Sequence, residues 1–193
     1  MNKGGRKISD TRNGAVFLDR DGTLIEDQGY LRHPDDVLFF PNTTRALSRL
    51  QKEFLLFIVT NQNGVGKGKL TLQEVDKVNE YLIGQLGKKG VVISGIFVCP
   101  HKEEDDCACM KPKPFFLKKA ANDFNLNLNR SYVIGDHPYD VEFAKGVGAK
   151  GLYVKTGHGE KHLNELPPGE VIVSDIGEAA DWILREEQGN YHD

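Results

Sequence analysis

Short apolar runs separated by amphipathic stretches leave this chain few folds to choose from. The runs fall at residues 15–18, 55–59, 93–98, 132–134, 152–154 and 171–173. They are apolar on successive residues rather than on alternate ones, the pattern of strands buried on both faces. Helical signals fill the gaps. Thr71-Leu72-Gln73-Glu74 and Asp175-Ile176-Gly177-Glu178 each place Glu three positions after a capping residue, and Leu72, Val75, Leu82 and Leu86 follow a helical stripe. Further helices are expected over about 42–52, 114–125 and 139–147, with Trp182, Ile183 and Leu184 on a final one. Strands alternating with helices imply right-handed crossovers and a Rossmann-like α/β fold, a parallel sheet with helices on both faces. Its ligand crevice should lie at the carboxyl ends of the strands.

A chain of 193 residues fits one such domain, expected over 15–186, between polar tails at 1–14 and 187–193. With 25 Lys plus Arg against 28 Asp plus Glu, the net charge of -3 supplies no field to gather nucleic acid or anionic lipid. The longest apolar run, 54–59, is far too short to span a membrane, and the basic N-terminus lacks the apolar region of a secretory signal. All three cysteines lie between Cys99 and Cys109, which is no framework for a secreted domain and suits a cytoplasmic one. A monomer acting on a small metabolite is expected.

The chemistry-bearing residues stand just after the apolar runs. Asp19-Arg20-Asp21-Gly22-Thr23 follows the first, and its acids, one residue apart, repel unless something neutralises them. Bound Mg²⁺ would do so, leaving one carboxylate as nucleophile and the other as general acid/base; a solvated acidic turn is the plainer alternative. Thr60-Asn61-Gln62-Asn63-Gly64 follows the second run and offers hydroxyl, amide and N–H groups to phosphoryl oxygens, though such residues are also ordinary in loops. Lys111 precedes a helix and could neutralise a phosphoryl oxygen, and Gly135-Asp136-His137-Pro138-Tyr139-Asp140 follows the fourth run. Cys99, His101, Cys107 and Cys109 have the number and kinds of ligand that close a structural zinc site, with three unbound thiols and a surface histidine as the alternative. A Cys107–Cys109 disulfide would be strained. Gly64-Val65-Gly66-Lys67-Gly68-Lys69 lacks P-loop spacing and is expected to form a mobile rim, and His33, His158, His162 and His192 show no partner pattern and are expected at the surface.

Together these motifs resemble the haloacid dehalogenase (HAD) superfamily, which reads DxDG(T/S), a Ser/Thr, a Lys and GDxxxD in this order. The resemblance spans about residues 15–185. It implies that Asp19 attacks phosphorus to form an aspartyl-phosphate, that Asp21 protonates the leaving alkoxide and then activates water, and that Thr60 and Lys111 stabilise the transferring group. Mg²⁺ would bind the Asp19 and Asp136 carboxylates and the Asp21 carbonyl, with Asp140 orienting the metal site.

Cys-Pro-His, Cys-x-Cys and Lys-Pro narrow the resemblance to the D-glycero-D-manno-heptose-1,7-bisphosphate 7-phosphatase and histidinol-phosphate phosphatase group, which has no large cap domain and carries a zinc loop. Asp27-Gln28-Gly29-Tyr30 and residues 60–69 are closer to the heptose branch. This implies substrate contacts from Asp27, Gln28, Gly29, Tyr30, Asn61, Gln62, Asn63, Met110 and His137, and a sugar bisphosphate as substrate. Met110 and His137 stand where the heptose enzymes usually carry Arg and Lys, which bears on how a second phosphate is recognised. Histidinol phosphate or another small phosphomonoester is the enzymatic alternative. A receiver-type phosphoacceptor domain is the non-enzymatic one, against which Asp21 and the cysteine loop count.

Overall fold

The computed structural model describes residues 12–190. Strands β1 (Ala15–Leu18), β2 (Leu55–Asn61), β3 (Gly95–Cys99), β4 (Tyr132–Gly135), β5 (Lys150–Val154) and β6 (Val171–Val173) form one parallel sheet in the order β3-β2-β1-β4-β5-β6. Helices α1 (Thr43–Leu50), α2 (Asn63–Gly66), α3 (Leu72–Lys88), α4 (Phe115–Phe124), α5 (Pro138–Lys145), α6 (Gly159–His162) and α7 (Ile176–Asn190) complete the fold.

Alternation along each strand divides the apolar runs between two cores. Val16, Leu18, Leu56 and Ile58 pack with Leu47 and Leu50 of α1, Val78, Leu82 and Leu86 of α3, and Ile176, Ala179 and Ile183 of α7. Ala15, Phe17, Leu55, Phe57 and Val59 face the other way, against Phe116, Leu117 and Ala120 of α4 and Phe143 and Ala144 of α5. Every residue of β1 is fully buried, so each of its side chains fills one core or the other. Burial of each large apolar side chain stabilises the fold by roughly 1.5–3 kcal/mol.

Thr71 and Glu74 form the reciprocal capping box that their spacing predicts for α3. At α7 the Asp175 carboxylate accepts from the Glu178 N–H at 3.0 Å, whereas the Glu178 carboxylate reaches back one residue further, to the Ser174 N–H at 2.7 Å.

The structure moves several expected boundaries. β2 runs on to Asn61 because Thr60 and Asn61 still pair with Val98 and Cys99 of β3. The expected tail at 187–193 begins inside α7, where Glu187 accepts hydrogen bonds from the Tyr132 hydroxyl at 2.8 Å and from Arg130 at 3.1 Å. Residues 191–193 lie outside the described residues. At the other end, Arg12 donates to the carbonyls of Gln51 and Phe54, and buried Gly14 accepts from the Leu55 N–H at 3.1 Å, so the expected tail at 1–14 is anchored from Arg12 onward. The remainder of that tail, 1–11, is likewise outside the described residues.

The strand order reverses direction between β1 and β4, and such a switch point opens a crevice at the carboxyl ends of the flanking strands. Asp19 and Asp136 are the first residues beyond those two ends.

Candidate active site

Asp19 leaves β1 with its N–H still bonded to the Ile134 carbonyl of β4 at 2.9 Å, so the ladder fixes the carboxylate at the crevice. Its Oδ1 accepts from the Lys111 ammonium at 2.5 Å, and the same ammonium donates to Asp140 Oδ1 at 2.6 Å. Lys111 is 6% exposed, so this bridge lies in a poorly solvated interior. Burial by itself would lower the Lys111 pKa, but Asp140 and Asp19 outweigh it and the net shift is upward, which keeps the amine charged. Burial pushes the Asp19 carboxyl well above the usual carboxylate range. Lys111 opposes that shift, and Asp140 and Asp136 add to it. Burial, reinforced by Asp140, pushes Asp136 up to about 7 despite the His158 N–H donating to its Oδ2 at 2.7 Å.

Asp21 has a different environment. Arg20, fully buried, donates from Nε to Oδ2 and from Nη2 to Oδ1, each at 3.0 Å, and from Nη1 to Asn79 Oδ1 of α3 at 2.8 Å. The Gln62 amide donates to Asp21 Oδ2 at 2.8 Å and to the Thr60 hydroxyl at 2.9 Å. Gly22 then turns the chain at φ +84°, where a Cβ would stand 2.0 Å from Asp136 Oδ2. That contact brings the two motif loops against each other.

Asp19, Asp21, Thr60, Lys111, Asp136 and Asp140 line a cavity of about 290 Å³, joined by Asp27, Asn61, Asn63, Glu103, Met110, His137, Tyr139 and His158. The segment after Asp21 and the cysteine loop thus wall the pocket. Of the residues expected at the substrate, Asp27, Asn61, Asn63, Met110 and His137 reach this cavity. Gln28, Gly29 and Tyr30 do not line it. Gln28 donates to the Asp36 carbonyl at 2.9 Å, Gly29 forms a turn, and the Tyr30 ring packs on Gly64. Gln62 is spent on Asp21 and Thr60, and Asn61 grips the Lys111 main chain, accepting from its N–H at 3.1 Å and donating to its carbonyl at 3.3 Å. His137 caps α5, accepting from the Tyr139 N–H at 3.3 Å, with its ring against those of Tyr139 and His162; burial holds its imidazole below the usual value.

Residues 64–69 do not line the cavity. The α2 turn is pinned where Gly66 donates to the Pro100 carbonyl at 2.8 Å, so the expected pocket rim is a brace for the cysteine loop. His158 is exposed as expected, yet it belongs to the site through its N–H on Asp136 and its ring 3.4 Å from Asp27. Arg20, which orients Asp21, and the cavity-lining Glu103, Tyr139 and His158 are not among the residues expected at the site. A cation placed between two acids was the available signal for Arg20; nothing in the sequence marked His158.

The sulfurs of Cys99, Cys107 and Cys109 and Nδ1 of His101 all lie within 4.8 Å of one another. Their contacts of 3.5 Å (Cys99–Cys107), 3.7 Å (Cys99–His101), 3.3 Å (His101–Cys109), 3.1 Å (Cys99–Cys109) and 3.6 Å (Cys107–Cys109) approach the edges of about 3.7 Å of a tetrahedron with a zinc ion at its centre. The cysteines form no disulfide. Burial opposes ionisation of Cys107, but the Cys99 thiol and the N–H groups of Cys109 and Met110 bring its pKa down to about 7.

A larger cleft of about 570 Å³ opens at the amino ends of β4 and β5, but its two acids, Glu186 and Glu187, are paired with Lys150 and Arg130. Among the described residues, no helix is long and apolar enough to cross a membrane.

A strand-end acid and an acid of the first turn of α5 sharing a buried lysine, beside a second strand-end acid at the switch point of a parallel sheet, define a HAD-type phosphatase. A HAD-hydrolase-like family model matches residues 108–179. A D-glycero-beta-D-manno-heptose-1,7-bisphosphate 7-phosphatase of Haemophilus ducreyi is 40% identical over 74% of this chain and 84% of its own length. One from Helicobacter pylori is 33% identical over 90% and 98%. The crystal structure of the D,D-heptose 1,7-bisphosphate phosphatase from B. bronchiseptica, complexed with magnesium and phosphate, superposes with a TM-score of 0.82 at 30% identity, covering 89% of this chain and 99% of that one. The chain belongs to the heptose-bisphosphate phosphatase family of HAD-like hydrolases.

Arg20→Met should cost about 3 kcal/mol of stability, because it leaves Asp21 and Asn79 without the buried guanidinium. Urea unfolding at neutral pH measures this, and an unchanged midpoint would show that Arg20 does not hold Asp21.

Proposed function

We propose that this protein is a Mg²⁺-dependent phosphomonoester hydrolase that removes the 7-phosphate of D-glycero-D-manno-heptose 1,7-bisphosphate through an aspartyl-phosphate. The observation that carries the reading is the Asp19–Lys111–Asp140 bridge at the crevice, beside Asp136. Asp19 attacks phosphorus, and Lys111 holds its carboxylate in line and meets charge on the transferring oxygens. Asp21 donates a proton to the leaving alkoxide and then takes one from the water that hydrolyses the intermediate, with Gln62, Thr60 and Arg20 fixing its orientation. The Thr60 hydroxyl also faces the transferring group.

Carboxylate oxygens of Asp19 and Asp136 and the Asp21 carbonyl are hard donors that suit Mg²⁺, and burial raises both carboxyl pKa values although Lys111 offsets part of their charge. Bound there, Mg²⁺ supplies charge neutralisation to the phosphoryl group. The cysteine cluster suits structural Zn²⁺, which would fix the loop leading into Lys111. A second reading, a phosphatase for histidinol phosphate or other small monoesters, is favoured by the cavity wall, where Lys111 is the one Lys or Arg among the described residues and Met110 offers no charge to a second phosphate.

The test is a kcat/KM panel with Mg²⁺ over both heptose-bisphosphate anomers, histidinol phosphate and common sugar monophosphates, run on wild type and Asp19→Asn. A heptose bisphosphate should lead the wild-type panel, and the variant should lose at least about 10³-fold, the scale of a missing nucleophile. Preference for a monophosphate would sink the substrate, and activity retained by Asp19→Asn would sink the mechanism.

Metal analysis should find about one zinc per chain, and chelation should lower the Tm. Equal stability of zinc-free protein would remove the structural role.

The raised Asp19 and Asp136 pKa values also set a pH dependence. A carboxyl with a folded pKa above its unfolded value costs stability once it ionises, so the metal-free protein should lose stability as pH rises from about 4 through about 7. Mg²⁺ needs the ionised carboxylates, so the Tm increase it produces should be larger near pH 8 than near pH 5.5. An increase independent of pH in thermal melts would separate these carboxyls from the metal.

A further inference from the structure

The loop after β5 carries none of the motif residues, yet it closes on the metal-binding turn from behind. Thr156 Oγ1 donates to the Gly22 carbonyl at 2.6 Å, while the Gly22 N–H donates to the Ile25 carbonyl at 2.7 Å. Both polar ends of Gly22, the residue that follows Asp21, are therefore fixed. The next residue, Gly157, has φ +56°, and a Cβ on it would stand 2.3 Å from Gly22 Cα and 2.3 Å from Asp136 Oδ2. The His158 N–H then occupies that same Oδ2 at 2.7 Å. Three consecutive residues of one loop thus touch both the turn that presents the Asp21 carbonyl and the Asp136 carboxylate.

We propose that Thr156 and Gly157 are positioning residues for the Mg²⁺ site, clamping the Gly22 turn of the first motif against Asp136 of the fourth. The inference rests on the Mg²⁺ reading of Asp19, Asp21 and Asp136. Mg²⁺ demands near-ideal octahedral placement of its oxygens and tolerates misplaced ones poorly. The nucleophile's loop and the Asp136 loop come from different strands, so their relative placement needs a fastener. The Thr156 hydroxyl supplies its hydrogen bond, and Gly157 supplies the close approach, since a side chain there would enter the space that Asp136 fills. Removing the hydroxyl while keeping the shape leaves the Gly22 carbonyl without its donor and frees the Gly22–Thr23 peptide, so the turn that follows Asp21 keeps only the Gly22 N–H bond of the two that fix Gly22 and is no longer fastened to the loop that contacts Asp136.

The experiment titrates Mg²⁺ alone into the full, zinc-loaded chain without substrate, by calorimetry, for wild type, Thr156→Val, Thr156→Ser and Gly157→Ala. Thr156→Val should raise the Mg²⁺ Kd about 10-fold or more, the range for partners that orient metal ligands, and Thr156→Ser should recover wild-type affinity to within a few fold. A purely structural Thr156 would shift the Tm without this Val-to-Ser contrast in Kd. Gly157→Ala should weaken Mg²⁺ at least as much as Thr156→Val. Should Thr156→Val fail to fold, Thr156→Ala carries the same comparison. Wild-type Kd in Thr156→Val, or equal weakening by Val and Ser, overturns the proposal. A wild-type chain that binds no Mg²⁺ fails the metal reading itself and overturns the clamp with it.

Discussion

Two carboxylates share one buried ammonium at the centre of this molecule, and much of the architecture serves to keep them together. Lys111 bridges Asp19 at the end of β1 to Asp140 at the start of α5, with almost no water to screen the charges. A buried ion pair contributes little net stability unless its geometry is held and its other hydrogen bonds are met. The fold meets both conditions. The β1–β4 ladder fixes Asp19, the His137 N–H reaches the second oxygen of Asp140 at 3.2 Å, and Asn61 grips the Lys111 main chain on both its N–H and its carbonyl.

Lys111 comes from neither flanking strand, so it needs support of its own. It arrives on a long connection between β3 and α4, and the cysteine cluster ties that connection to the end of β3 through Cys99. The α2 turn braces it again where Gln62 and Gly66 donate to the carbonyls of Cys99 and Pro100. Among the described residues the pocket wall is built from such loops, and Glu103 and Met110 in the cavity show this loop used as wall. The sulfur cluster therefore acts on the active site by shaping the route to Lys111 rather than by touching the cavity.

The sheet, its flanking helices and the strand-end acids were legible because each follows from a local signal: apolar runs of fixed length, capping residues, and acids just past a run. What stayed hidden depends on which way a side chain turns. Gln62 and Asn61 stand beside Thr60 and suggested substrate contacts, but one turns inward to Asp21 and the other to the Lys111 main chain. Tyr30 suggested a contact and instead supports Gly64. Arg20 looked like a spacer between two acids and is the buried partner of one of them. His158 contributes through its backbone N–H, which no residue type announces.

The charges of the site account for its two strained carboxyls. Asp21 has Arg20, and Asp19 at 2.5 Å and Asp140 at 2.6 Å share Lys111 between them. Asp136 has no ion pair among the described residues and is relieved chiefly by the His158 N–H, with Lys111 acting on it at longer range. Burial pushes the pKa values of Asp19 and Asp136 up, and for four acids the crevice offers two cations, Arg20 and the shared Lys111. If both ionise, the crevice holds close to two uncompensated negative charges on hard oxygen donors, which is the charge and donor preference of Mg²⁺. On the proposed Mg²⁺ reading, leaving the deficit open would make the site incomplete without a divalent cation and would tie the ionised Asp19 to the presence of that ion.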